Sequence, residues 1–264
     1  MRKIGEGHKS EVFVLPDGRI LKLFFPHFAY LAEMEAHLSG LLAQAGVHAP
    51  RVDEILEVDG RPGIVFGNLR EGQTLSKAVR SRPWRTQAMA RELAKIHAAV
   101  HECSAPELPS QRERIDDQIR AATVLSDEAR GTALETLRTL PDGATVCHND
   151  VHMLNVVVCP GGAMIIDWVL ATRGNPLADV ATAALQLRFG EPPGSFAARW
   201  PLEAGRALFR HTYLRHYLRL RSCRREELAR WRLPAAAALA GRREGTMRQQ
   251  LLQCVDRLVR HSVA

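Results

Sequence analysis

Residues 147–156 read CHNDVHMLNV, so that His148, Asp150 and Asn155 fit the spacing HxDxxxxN, and Asp167 follows at the end of the apolar run MIID. Two carboxylates and an amide in this arrangement suit the transfer of a phosphoryl group to a hydroxyl. Asp150 would orient the attacking hydroxyl and accept its proton. The amide oxygen of Asn155 and the carboxylate of Asp167 are the hard oxygen donors that magnesium prefers, and would hold Mg2+ against the phosphates. Such a match standing alone carries little weight, because loop aspartates commonly cap turns. Its weight comes from what lies around it.

These groups act together only if local elements bring them together. VVVC, a PGG turn and MIID are short apolar runs around turn residues, and predict a β-hairpin that returns Asp167 beside the loop. Near the amino end, EVFVL, the turn PDG and RILKLF predict another hairpin. Phe28, Leu31, Leu38, Leu42 and Ala45 recur with a helical period, predicting a helix over 28–45 that Gly46 ends. Strands at Val52–Val58 and Gly63–Phe66 flank DGRPG.

The small sheet so predicted contains an anomaly: Lys22 stands among apolar neighbours in ILKLF. A lysine there needs an anion. Phosphate oxygens would serve, and so would Glu35, which shares the helical face of Leu31, Leu38 and Leu42, whereas Glu33 points elsewhere. A Lys22–Glu35 ion pair accounts for both residues. The stretch Gly5-Glu6-Gly7-His8-Lys9-Ser10 lacks the third glycine of GxGxxG, yet it lies between two strand candidates just before the lysine strand. Its backbone amides and Ser10 are placed to cover nucleotide phosphates. Gly67, Asn68 and Leu69 follow the strand GIVF and are expected to form a hinge that meets the adenine edge of ATP through backbone groups, a mode of contact that does not exclude GTP.

Beyond residue 70 helical periodicity dominates, with Met89, Leu93, Ile96 and Val100 on one face and Ile115, Ile119, Ala122 and Leu125 on another. From Leu177 onward three or four helices are expected, broken near Pro192–Pro193, Pro201 and Pro234. His97 and His101 have a metal-capable i, i+4 spacing, but no HExxH accompanies them and a packing role is expected.

Together the segments IGEGHKSEVF, AGVHAP, LAKIHAAVH, the loop at 148–155 and IDWVLATRGNPLADVA resemble the aminoglycoside phosphotransferase family, distant relatives of the protein kinases. The resemblance spans most of the chain. It implies an α+β, bilobal, protein-kinase-like fold: a sheet lobe at 1–69 with its hinge at 67–69, and a helical lobe at 70–264. It further implies an enzyme that uses ATP and Mg2+ to phosphorylate a small-molecule hydroxyl, on an antibiotic-type or a metabolite acceptor. His148 and Asp179 would brace the catalytic loop. Asn149 and Met153 stand where many members have Gly and Pro, and Asp167-Trp168-Val169 replaces the DFG of protein kinases. The alternative is a catalytically silent nucleotide- or partner-binding module, which would have no need of Lys22, Asp150, Asn155 and Asp167 together.

The bulk properties fit a globular enzyme: 264 residues, 46% hydrophobic and 25% charged. With no long apolar run and no signal-peptide pattern, the expected compartment is the cytoplasm. Five scattered cysteines without CxxC spacing predict free thiols. The net charge of +7 raises a nucleic-acid reading. However, the excess belongs to residues 170–264, which carry 17 Arg, no Lys and 7 acids, with Arg at helical spacing as in Leu214-Arg215 and Leu218-Arg219. That pattern predicts solvated helix faces. It also makes a poor field for a polycation, so the expected acceptor is neutral, weakly cationic or anionic.

Overall fold

The computed structural model describes residues 1–159, 161–190 and 199–262, without the side chains of 199–202 and 262. Strands β1 (Arg2–Glu6), β2 (Ser10–Val14) and β3 (Arg19–Phe24) precede helix α1 (Tyr30–Gln44), and β4 (Val52–Val58) and β5 (Arg61–Arg70) follow it. They form one antiparallel sheet in the order β1-β2-β3-β5-β4. β3 lies in the middle, with Ile20, Leu21, Leu23 and Phe24 buried. Strand side chains alternate between faces, so burial on both faces explains a run apolar everywhere but at Lys22.

Helix α1 turns Leu31, Ala32, Glu35, Leu38, Ser39 and Leu42 inward. It starts later than the sequence pattern suggests, because Pro26–Phe28 form a 3-10 turn of their own. It ends where Gly46 adopts φ +77°. There Gly46 N–H donates to Ala43 O (3.1 Å) and Val47 N–H to Leu42 O (2.9 Å), a left-handed helix cap that only glycine adopts without steric cost.

Two expected loops prove to be largely strand. β5 runs from Arg61 opposite Val58 to Arg70 opposite Arg19, and its register shifts between Phe66 and Arg70, so Gly67, Asn68 and Leu69 form an irregular stretch within the end of β5. Likewise Gly5 and Glu6 pair with β2 and Ser10 opens it. The glycine turn shrinks to 7–9, closed by Gly7 N–H on Ser10 O (2.9 Å).

The second lobe begins with β6 (Gln73–Thr74), α2 (Leu75–Ser81), α3 (Thr86–Val100), α4 (Gln111–Ala121) and α5 (Asp127–Thr139). Four short strands follow, β7 (Thr145–Cys147), β8 (Val156–Cys159), β9 (Gly162–Ile165) and β10 (Thr172–Gly174), arranged as β10-β7 and β6-β8-β9. Among the described residues five helices complete the chain, one more than the upper expectation: α6 (Pro176–Phe189), α7 (Arg199–Leu220), α8 (Arg225–Arg230), α9 (Arg232–Arg242) and α10 (Gly245–Ser262). The break expected at Pro192–Pro193, and Pro160 of the PGG turn, lie outside the described residues. Pro201 and Pro234 sit in the first turns of α7 and α9. No intrahelical bond is lost there, so proline opens these helices and does not interrupt them.

Apolar burial forms two clusters. Ile20, Phe24, Leu31, Ile64, Phe66 and Leu69 make the smaller with Met164 of β9. The larger runs through the helices and includes Leu38 and Leu42, so α1 belongs to both. The fold is therefore α+β, a small antiparallel-sheet lobe against a helical one. Arg215 and Arg219 are exposed while Phe209, Tyr213 and Tyr217 of the same helix are buried. All five cysteines are free. Among the described residues, no helix is long and apolar enough to cross a membrane.

Candidate active site

The loop after β7 opens on an unusual backbone: Asn149 has φ +62°, and Asp167, after β9, has φ +64°. Asn and Asp are the side chains that best tolerate this left-handed region, and residues held there cluster at functional sites. Asn149 is also buried and tightly bonded. Its Nδ2 donates to Thr172 Oγ1 (2.8 Å), Leu170 O (2.9 Å) and Cys147 O (3.3 Å), and its Oδ1 accepts from Gln111 Nε2 (2.8 Å). Glycine would supply the backbone angle but none of these bonds. Gln111 in turn accepts from Asn175 N–H (2.8 Å), and a Cβ on Gly174 would lie 2.2 Å from its Oε1, which leaves room for glycine alone.

Beneath the loop, fully buried Asp179 collects four donors. Its Oδ2 accepts from His148 N–H (2.5 Å), His97 Nε2 (3.2 Å) and His101 Nε2 (3.3 Å), and its Oδ1 from Asn149 N–H (2.9 Å). The other ring nitrogens of His97 and His101 meet the hydroxyls of Tyr213 and Tyr217, each at 2.7 Å. Burial would raise the Asp179 pKa, but the two histidines hold it well below the usual carboxylate range. Burial, with His97 adding to it, pushes His101 down to about 4. His101 is thus neutral, donating to Asp179 and accepting from Tyr217. The candidate ligand atoms of His97, His101 and Asp179 lie within 4.8 Å of one another, but every one of them is already engaged by a hydrogen bond.

His148 links the loop to the approach of Asp167. Its Nε2 donates to Ile166 O (3.0 Å), its Nδ1 accepts from Asp150 N–H (3.2 Å), and its ring meets buried Trp168 edge to face at 4.6 Å. Burial lowers its pKa against the pull of Asp179 and Asp150, so it serves as a neutral bridge. Trp168 donates to Ile165 O (2.9 Å) and fills the core.

The β8–β9 hairpin sets Val156 opposite Ile165, and Ile166 N–H donates to Asn155 O at 2.9 Å. Asp167 is the next residue. Asn155 Nδ2 donates to Asp150 O (3.0 Å) and Asp150 Oδ2 (3.2 Å), which leaves Oδ1 as its amide acceptor. From the sheet lobe, Lys22 Nζ reaches Glu35 Oε2 (2.7 Å), Glu35 Oε1 (3.0 Å) and Asp167 Oδ1 (3.2 Å). The side chains of Lys22 and Glu35 are 15% and 6% exposed and that of Asp167 is 41%, so the buried pair presents an open carboxylate to the cleft. Burial alone would lower the Lys22 pKa, but Glu35 and Asp167 outweigh it and raise it. Burial raises the Glu35 pKa with Lys22 opposing. Glu33 is exposed.

Asp150 has partners that sequence spacing did not reveal. Arg243 Nη2 donates to its Oδ1 (2.6 Å), Arg242 Nη2 lies 3.8 Å from the same atom, and His152 Nε2 is 3.7 Å from Oδ2. Burial would raise its pKa, but His152 and the two arginines hold it well below the usual carboxylate range. Arg242 ends α9 and Arg243 follows it, both within the arginine-rich third expected to face solvent, and that expectation fails for these two residues. Only the packing of α9 on α4 and α6 brings them to the loop.

The remaining predicted positions serve the sheet. Ser10 and Leu69 are buried, and Gly67 N–H donates to Arg51 O (3.0 Å). The Asn68 side chain accepts from Arg51 N–H (2.8 Å) and donates to Ala49 O (2.9 Å), binding β5 to the AGVHAP segment.

A model of the phosphotransferase enzyme family matches residues 1–234. No curated protein matches the sequence. Among solved structures, a thermostable mutant of the aminoglycoside phosphotransferase APH(4)-Ia, in ternary complex with AMP-PNP and hygromycin B, is similar over 98% of this chain and 92% of its own, with TM-score 0.68 and 16% identity. An aminoglycoside-3'-phosphotransferase of type VIII covers 89% and is covered to 90%, with TM-score 0.57 and 23% identity. Choline kinase from Cryptosporidium parvum Iowa II gives 99%, 87%, 0.58 and 14% for the same quantities. At these identities the likeness is one of fold.

Proposed function

The chain belongs to the phosphotransferase enzyme family, and from that premise we propose that it transfers the γ-phosphoryl group of ATP to a hydroxyl of a small molecule in the cleft between its lobes. The observation that carries this reading is the meeting, at the open end of the β8–β9 hairpin, of Lys22, Glu35 and Asp167 where β9 leaves with Asn155 and Asp150 where β8 begins.

Lys22, held by Glu35, would bind phosphate oxygens, with the β1–β2 hairpin at Gly5, Gly7 and Ser10 above them and backbone groups at Gly67, Asn68 and Leu69 meeting the base. GTP fits the same groups. The oxygens of Asn155 and Asp167 suit Mg2+, which when bound neutralises phosphate charge. Asp150 would orient the acceptor hydroxyl. Its depressed pKa suits a loose transition state, in which the proton leaves late and prior deprotonation is not needed. Residues 1–69 and 70–264 act here as the two lobes, and the choline kinase and aminoglycoside kinase neighbours are consistent with an alcohol acceptor.

ADP release from Mg-ATP in the presence of a library of antibiotics and metabolites tests the proposal. Acceptor-dependent ADP is the expected result, and none with any acceptor would indicate a silent module. Glu35→Gln is expected to lower turnover by about 10–100-fold, the value of one charge-assisted hydrogen bond. Glu33→Gln should leave it near wild type. The reverse order in steady-state kinetics would refute the assignment of Glu35.

A further inference from the structure

Phosphoryl acceptors are oriented by what surrounds their hydroxyl, and here Asp150 stands among positive charges. Arg242 at the end of α9 and Arg243 just beyond it stand against Asp150, and Arg114 of α4 stands next to Arg242. Arg243 and Arg242 approach Asp150 Oδ1 at 2.6 and 3.8 Å. Arg114 has no ion pair among the described residues, and it lines a narrow cleft with Gln111, Gln118, Asn149 and Arg242. Arg114 Nη1, Arg243 Nε and Gln186 Nε2 are buried without a hydrogen-bond partner. Gln186 is 4% exposed, and its carbonyl accepts from Arg243 Nη2 at 2.6 Å, which ties it to the same cluster.

Two guanidiniums therefore face one carboxylate, and a third, that of Arg114, adds positive charge beside Arg242 in the adjoining cleft. Burial lowers the pKa of Arg242; Asp150 opposes this, while Arg243 and Arg114 add to it. Burial lowers that of Arg114 as well. Crowded positive charge with unmet buried donors is costly unless an anion with several acceptor lone pairs enters. Guanidinium forks match carboxylate and phosphate oxygens in geometry as well as in charge.

We propose that the acceptor alcohol carries an oxyanion, bound by Arg114, Arg242 and Arg243, which sets its hydroxyl at Asp150. An entering oxyanion competes for Arg243 and draws it from Asp150 Oδ1, opening that oxygen to the hydroxyl. The inference rests on the reading of Asp150 as the acceptor-side carboxylate. Ammonium-bearing acceptors would meet repulsion at the same place.

Two matched series test it with Mg-ATP and an ADP-release assay: glycerate, glycerol 1-phosphate, glycerol and 3-amino-1,2-propanediol; and gluconate, glucose 6-phosphate, glucose and glucosamine. An anionic member is expected to exceed its neutral and cationic counterparts in kcat/KM by about 10-fold or more, and the carboxylate and phosphate arms tell the two oxyanions apart. Arg114→Gln and Arg242→Gln should each raise KM for that anion by about 10–100-fold, with KM for ATP unchanged and partial recovery in the Lys variants. Thermal melting checks that each variant is folded. A neutral or cationic alcohol with the highest kcat/KM overturns the inference, and so does a rise confined to KM for ATP, which would place the arginines on the transferring phosphate. Calorimetric titration of the anions without nucleotide separates this inference from the parent reading. Binding that is lost in Arg114→Gln and Arg242→Gln supports the anion site even where no ADP forms, and absence of binding overturns it.

Discussion

Asp150→Asn is expected to lower kcat by about 10²–10⁴-fold, the range for loss of a positioned general base, while calorimetry finds Mg-ATP affinity nearly unchanged. The substitution keeps the shape of the side chain and its place beside Asn155 and Arg243, but removes the charge that orients a hydroxyl and receives its proton. Asp167→Asn should behave differently. Asp167 contacts Lys22 and opens on the cleft, so its charge belongs to the nucleotide end. Its loss should weaken Mg-dependent nucleotide binding together with turnover. Comparing ATP titrations of the two variants with and without magnesium decides the matter. Equal losses of nucleotide affinity would mean that the two aspartates do not divide the work between acceptor and phosphate.

The second large effect is expected in stability. Asp179→Ala would leave four buried donors, two backbone amides and two imidazoles, without their acceptor. Removing one member of a buried charged network costs about 3–5 kcal/mol, which for a domain of this size lowers Tm by about 6–20 °C. Calorimetric melting at neutral pH measures it, and a shift of only a degree or two would show that Asp179 is not the anchor of the loop. The same network sets an acid limit. His101 has a folded pKa of about 4, below the roughly 6.5 of an unfolded histidine. The unfolded chain therefore binds the extra proton, and stability is lost as pH falls from about 6.5 toward 4, by up to about 1.4 kcal/mol per pH unit. Asp179 adds in the same direction at lower pH: its folded pKa is depressed, so its stabilisation is present above the unfolded carboxylate pKa and is lost below it. Denaturant midpoints between pH 7 and 4.5 should fall accordingly, and a flat profile would contradict the neutral, buried state of His101.

Asn149 shows how local pattern and three-dimensional packing share the determination of this loop. Its place between His148 and Asp150 marked it as a departure from the usual glycine, and its φ of +62° explains why the position admits so few residues. Nothing in the neighbouring sequence indicated that Gln111 and Thr172, 38 and 23 positions away, would complete its hydrogen bonds.

The sequence by itself determined the sheet around Lys22, the helical face shared by Glu35 and Leu38, and the hairpin that carries Asp167 back to Asn155. All three follow from short-range periodicity and turn residues, which act over a few positions whatever the rest of the chain does. It did not determine that β1 runs past Gly5 to Glu6 or that β5 runs past Gly67 to Arg70, because pairing with neighbouring strands, not local preference, sets those limits. Nor did it disclose which of 17 arginines in residues 170–264 leave solvent. Arg215 and Arg243 both stand in helical, arginine-rich sequence, yet one is exposed and the other bonds Asp150. Only the packing of α9 and its following turn against α4 and α6 separates them, since a side chain's charge is local but its partner is chosen by the tertiary fold.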